Sequence, residues 1–197
     1  MAHLSWAVSV KNEPHDVPVS VAELKQHLNI ADDLDEHDQY LSSLIQQAVE
    51  CVEYDSRQRL VTQTLELSLD AFPLGQTYIR LPGPLQSVTS VKYYDVQGNE
   101  LTWDSANYLV DTRRDLLHLA YSSIWPVTQS LRPNSVLIEL VAGSSIAQVP
   151  AMAKHAIKLL ASHAFVNREP IVVGTISSEL QLSYNALIHR ITPGDYP

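Results

Sequence analysis

A single cysteine, Cys51, denies this chain an intrachain disulfide and any multi-cysteine zinc site. Basic residues are scarce as well: 13 Lys and Arg stand against 22 Asp and Glu, giving a net charge of −9 and a pI of about 5.2. That balance argues against a protein that grips nucleic acid through a basic face. No stretch is apolar for the ~20 residues a bilayer crossing needs. The opening MAHLSWAVSVKNEP lacks the long apolar core of a signal peptide. The default expectation is therefore a soluble, cytoplasmic protein with no membrane role. Internal repeats, a Gly-rich phosphate loop, a GxSxG elbow and an HExxH pattern are all missing.

What is present is a chain of 197 residues with a 45% hydrophobic share, enough for a packed core. Its organising stretch is Val149–Glu169. Pro150 suits a first helical turn, and Arg168 suits the C-terminal end of the dipole. Polar groups concentrate on Lys154, Lys158 and Ser162, with His155 beside them. Met152, Ala153, Ala156, Ile157, Leu159, Leu160, Ala164 and Phe165 cover most of the remaining circumference. A helix with so narrow a polar stripe is mostly buried, on one side by its own fold and on the other by a second subunit.

The rest of the chain supplies partners in order. Residues 1–18 carry little periodicity and two prolines, and read as an extended arm. Ser20 and Glu23 form a capping box, stapled by Val19 and Leu24, for a helix to about Asn29. The acidic Ala31–Asp38 leads into a second helix, roughly Asp35–Arg59. Its apolar stripe is Leu41, Leu44, Ile45, Ala48, Cys51 and Val52, and Arg57 and Arg59 lie in its last turn. From Leu60 the period changes to two. Leu65, Leu67 and Leu69 mark one strand, and Tyr78–Leu81, Tyr108–Asp111, Leu116–Ala120 and Ser135–Ala142 mark others. Ser87–Val96 and Glu100–Trp103 form a hairpin about Gln97-Gly98-Asn99. Tyr121–Pro133 is a long irregular loop. Ser177 caps a last helix bearing Leu180, Tyr184, Leu187, Ile188 and Ile191 on one face, ended by Pro193-Gly194.

The fold class read from this order is α+β: a bundle of four main helices interrupted by an inserted antiparallel β module. The arm is 1–18, the helical core 19–60 and 143–191, the β module 61–142, and a C-terminal arm 192–197. Helices from both ends of the chain pack together, with the sheet projecting or covering one side.

Residues with chemistry to offer form no site. His155 and His163, eight apart on one helix, are about two turns from each other and cannot chelate one metal. Cys51, in an apolar stripe, reads as a buried structural thiol. Asp32, Asp33, Asp35, Glu36 and Asp38 lack EF-hand spacing and read as a solvated helix entrance. Asp70, Asp95 and Asp104 fall at turns, and Trp103 and Trp125 read as core or loop anchors. No catalytic residue, cofactor or metal ligand is assigned.

Several stretches resemble one phage family: VSVAELKQHL (19–28), LVTQTLELSLDAFP (60–73), IRLPGPLQSVTSVKYYDVQG (79–98), YLVDT (108–112), WPVTQSLRPNSVLIELVAG (125–143) and VPAMAKHAIKLLASHAFVNREPIVVG (149–174). In order and spacing they are similar to the phiE125 gp8-type head–tail connectors, relatives of the HK97 gp6-like adaptors of tailed phages. The resemblance covers about 19–191 and leaves residues 1–18 out.

The resemblance implies a non-enzymatic virion protein of the neck, made in the bacterial host's cytoplasm. About twelve copies would form a closed ring below the portal. The ring would extend the DNA channel, hold no specific sequence of the passing phage genome, and dock head-closure or tail proteins. Met152, Ala156, Leu159, Leu160 and His163 are the expected subunit-interface and core positions of the central helix. Thr192, Pro193, Gly194, Asp195, Tyr196 and Pro197 are the expected portal-docking arm, with Tyr196 its anchor. Two alternatives stand beside this reading: another ring-forming virion protein (head-closure or tail-terminator), and a hydrolase using scattered Asp and His residues.

Overall fold

Ser20 opens the first helix as the sequence predicts. In the computed structural model, which describes residues 6–14, 16–167 and 178–193, its hydroxyl accepts the Glu23 N–H at 3.1 Å. The Glu23 carboxylate accepts the Ser20 N–H at 2.8 Å. Val19 and Leu24, the staple pair, are both fully buried. Helix α1 (Val21–Leu28) ends where Asn29 turns left-handed, φ 55°. A 3-10 turn, Asp35–His37, leads into α2 (Asp38–Ser56). The remaining helices are α3 (Ala151–Val166) and α4 (Ser178–Ile191).

Helix α2 stops short of the expected Arg59. The Ser56 hydroxyl bonds back to the Val52 carbonyl at 2.6 Å, and Arg57 takes the left-handed cap conformation. Arg59 therefore lies beyond the helix, where its guanidinium meets Glu53 at 3.0 Å rather than the helix dipole.

The chain divides into two compact units: the residues up to Pro14 with Thr62–Gly143, and the residues from there to Val61 with everything after Gly143. The helical unit has its own core. Leu41, Leu44, Ile45, Ala48 and Val52 of α2 pack with Ala153, Ala156, Ile157 and Ala161 of α3, and with Tyr184, Ile188 and Ile191 of α4. Alanine at three buried α3 positions lets the backbones approach closely, so the burial is shared by large side chains from α2 and small ones from α3.

Among the described residues the β unit contains eight strands: β1 (Trp6–Asn12), β2 (Gln63–Leu69), β3 (Tyr78–Arg80), β4 (Leu85–Tyr94), β5 (Glu100–Thr102), β6 (Tyr108–Asp111), β7 (Leu116–Leu119) and β8 (Val136–Ala142). A five-stranded antiparallel sheet has the order β1-β2-β8-β4-β5, and a three-stranded one the order β3-β7-β6. In the pairing of β2 with β8, Leu65 faces Leu140, Leu67 faces Ile138 and Leu69 faces Val136. All six are buried on one face, which is the alternation that made these strands legible.

Residues 6–12 correct the reading of the N-terminal segment as an arm. They pair antiparallel with β2, Trp6 opposite Leu69 and Val10 opposite Leu65. The apolar alternation Trp6, Val8, Val10 is visible in the sequence, but a lone edge strand gains its hydrogen bonds only from a partner more than fifty residues away.

Candidate assembly surface

Helix α3 is not fully covered by the described residues of its own chain. Ala153, Ala156, Ile157 and Ala161 are buried, and Ala156 is wholly so. Leu159, Leu160 and His163 are partly buried, while Met152 is 39% exposed and Val166 72% exposed. Of the expected interface positions, Ala156 thus belongs to the internal core and Met152 faces outward. The polar stripe Lys154, Lys158 and Ser162 is half-buried.

His155 and His163 do not come together. His155 instead meets His27 of α1, ring edge to ring face at 6.2 Å between centroids. Burial, then the nearby Lys158 and His155, hold the His27 imidazole below its ordinary pKa. His37 packs against Phe165. Among the described residues there is no group of three or more His, Cys, Asp or Glu that could hold a metal ion.

Cys51 departs from its predicted setting. It stands at the edge of the α2 stripe and is exposed. Partial burial, followed by the charges of Asp55 and Glu50, raises its thiol pKa and so opposes the reactive thiolate.

The acidic run has a structural role that the sequence reading missed. Lys25, on α1, is only 3% exposed. Its ammonium lies 2.6 Å from the Asp38 carboxylate and 3.4 Å from that of Asp35, and donates to the Asp32 carbonyl at 3.2 Å. Asp38 first, against the opposing effect of burial, raises the Lys25 pKa. The signal was available: Lys25 falls among Val21, Leu24 and Leu28 at helical spacing, on the face that turns inward. Asp33 and Glu36 stay exposed, with Leu34 between acids at 50% exposure.

The turn aspartates act as backbone acceptors. Asp95 receives the N–H groups of Gln97 and Asn99, Asp104 that of Ala106, and Asp70 that of Asn134.

In the β unit, Trp103 and Trp125 are anchors as expected. Trp125 stacks on Phe72 at 5.1 Å, and Trp103 lies 5.3 Å from Trp125 and 5.4 Å from Tyr108. The Trp125 indole donates to the Gln76 carbonyl at 2.7 Å, and the Arg132 guanidinium sits 3.5 Å over the Tyr94 ring. These contacts fix the loop that leads into β8. The same loop turns Tyr121, Ile124, Val127 and Leu131 to solvent, each at least 75% exposed.

Of the C-terminal positions, Thr192 is tied to α4: its N–H and its hydroxyl both donate to the Ile188 carbonyl, at 2.9 and 2.8 Å. It closes the helix and is not a free arm residue. Pro193 is exposed, and Gly194–Pro197 lie outside the described residues, as do Arg168, Glu169, the loop Pro170–Thr175 and the Ser177 cap. Among the described residues, one open depression of about 420 Å³ lies beside Ile188, His189 and Thr192, and another of about 510 Å³ beside Glu23, Gln26 and Asp32.

Comparison with solved structures finds the same architecture along the full chain. A chain from the neck of an empty gene transfer agent particle, with C6 symmetry, superposes with a TM-score of 0.75 at 22% identity, covering 97% of each chain. A chain from the virion of the native particle gives 0.75 at 22% identity, covering 96% of this chain and 97% of that one. A chain from the native neck with C12 symmetry gives 0.74 at 21% identity, covering 97% of both. No curated protein matches the sequence. The α+β fold is therefore one that neck proteins use, and over residues 18–102, from the α1 staple through β5, the chain matches the model of the phage gp6-like head–tail connector proteins, the resemblance its sequence carries.

Proposed function

We propose that this chain is a structural, non-enzymatic protein of a particle neck: a head–tail connector that joins with copies of itself in a closed ring. About twelve copies stand below the portal, extend the DNA channel and dock a head-closure or tail protein. The observation that carries this reading is the likeness of fold over 97% of both chains to a protein of a C12-symmetric neck, together with the connector match over residues 18–102. The incompletely covered face of α3 supports lateral contact, with Met152, Leu159, Leu160 and His163 as its interface positions. The fixed apolar loop at Tyr121–Leu131 supports a further docking surface. Net charge −9 suits a channel wall along which DNA slides without adhering. The arm beyond Thr192 docks against the portal.

The deciding experiment is a cryo-electron map of particles containing this chain. A ring of this fold between portal and tail is the expected result. Density for it at the tail tip, or at a tail-terminator position, would overturn the proposal.

A further inference from the structure

The helical unit carries two oppositely charged surfaces that do not satisfy each other. The first lies on α3. That helix holds no Asp or Glu; its charge is Lys154 and Lys158, one turn apart on the same face, with His155 beside them and His27 of α1 against His155. Neither lysine makes an ion pair among the described residues. Lys158 lies close enough to His27 to oppose its protonation.

The second surface is the segment between α1 and α2. Asp35 and Asp38 are engaged by Lys25, whereas Asp32, Asp33 and Glu36 make no ion pair among the described residues and are exposed. Leu34, half exposed, sits among them. The two surfaces thus carry charges of opposite sign.

We propose that these are the two halves of the contact between neighbouring copies: the Lys154–Lys158 face of α3 in one copy receives the Asp32–Glu36 segment of the next. The inference rests on the ring reading above and adds to its apolar α3 positions a second, charged contact. A closed ring is heterologous, so each copy must present two different, mutually complementary patches. A contact that set either patch on its own counterpart would oppose like charges. Half-exposed ion pairs add little affinity, but they fix register and reject wrong pairings, while Leu34 supplies apolar burial. Duplex DNA is the weaker candidate occupant of the lysine face. Two lysines and two histidines neutralise few phosphates, on a chain whose net charge repels them.

The test uses the full chain and two charge-reversal variants, K154E/K158E and D33K/E36K, which leave the Lys25 contacts intact. Self-association is followed by sedimentation velocity and native mass spectrometry. The wild-type chain should assemble, more weakly as salt rises. Each variant alone should associate about tenfold more weakly or worse, since like charges then face one another. A 1:1 mixture of the two should assemble again, with the variants alternating and an even number of subunits. That recovery also shows that both variants are folded. Undiminished assembly of either variant alone, beside an assembling wild type, would overturn this inference and leave the ring reading standing. So would a K154E/K158E chain whose only loss is retention of duplex DNA. A wild-type chain that stays monomeric at millimolar concentration would count against both.

Discussion

The carboxylate of Asp115 accepts the backbone N–H of Leu85 at 2.7 Å, thirty residues back along the chain. The Asp115 carbonyl also accepts the Leu81 N–H at 2.8 Å. One residue thereby clamps both ends of Pro82-Gly83-Pro84, the crossing from the three-stranded sheet into the five-stranded one. A Cβ on Gly83 would collide with that carboxylate. Asp115 itself stands at φ 55°, a conformation Asp and Asn tolerate better than Ala. Asp115→Ala is expected to cost about 1–3 kcal/mol, with Asp115→Asn milder, and Gly83→Ala to destabilise too. Urea unfolding followed by tryptophan fluorescence reads this directly, because Trp6, Trp103 and Trp125 all lie in the β unit. An unchanged midpoint for Asp115→Ala would show that the clamp is incidental.

In the helical core, Ile157 is fully buried. Ile157→Ala should cost about 2–5 kcal/mol. Leu160 is only partly buried, so Leu160→Ala should cost less, and Lys154→Ala little. Thermal unfolding followed by far-ultraviolet circular dichroism ranks the three. A larger loss for Lys154→Ala than for Ile157→Ala would mean that α3 is rotated.

The β unit should weaken in acid. Asp95 is held below its ordinary pKa chiefly by the Asn99 side chain and then by backbone N–H groups, Glu100 chiefly by Lys92 and then Tyr94, and Asp111 chiefly by Arg114. A carboxylate whose folded pKa is depressed adds stability that is complete above its unfolded pKa of about 4 and is lost as pH falls through the folded value. Unfolding midpoints by tryptophan fluorescence should hold steady down to about pH 5 and drop below pH 4. Asp95→Asn should flatten part of that drop; a pH profile identical to the wild type would refute the assignment.

Since Thr192 caps α4, a deletion that tests the proposed portal-docking arm should begin at Gly194. Removing 194–197 should leave the melting curve unchanged, because no described contact is lost. It should also prevent attachment of the chain to portal-bearing heads, leaving heads without tails. Normal tailed particles from the truncated chain would exclude the arm from portal docking.

The sequence by itself determined the elements whose signals are local. The Ser20–Glu23 box, the period-two leucines of β2, the Gly98 turn and the helical stripe of α2 each depend on neighbours within a few residues, and all but the Cys51 position of that stripe stand where the sequence puts them. It also carried the connector resemblance, because ordered local segments are what a resemblance compares. Tertiary structure decided the rest. Whether Trp6–Asn12 is an arm or a strand depends on β2, whether Cys51 is covered depends on where the α2 arc ends, and Lys25 becomes a buried cation only because Asp38 reaches it. The assembly surface was the least legible part. Burial is a property of the packed molecule, and Lys154 and Asp33 look like ordinary solvated charges until the fold leaves both without an ion pair among the described residues.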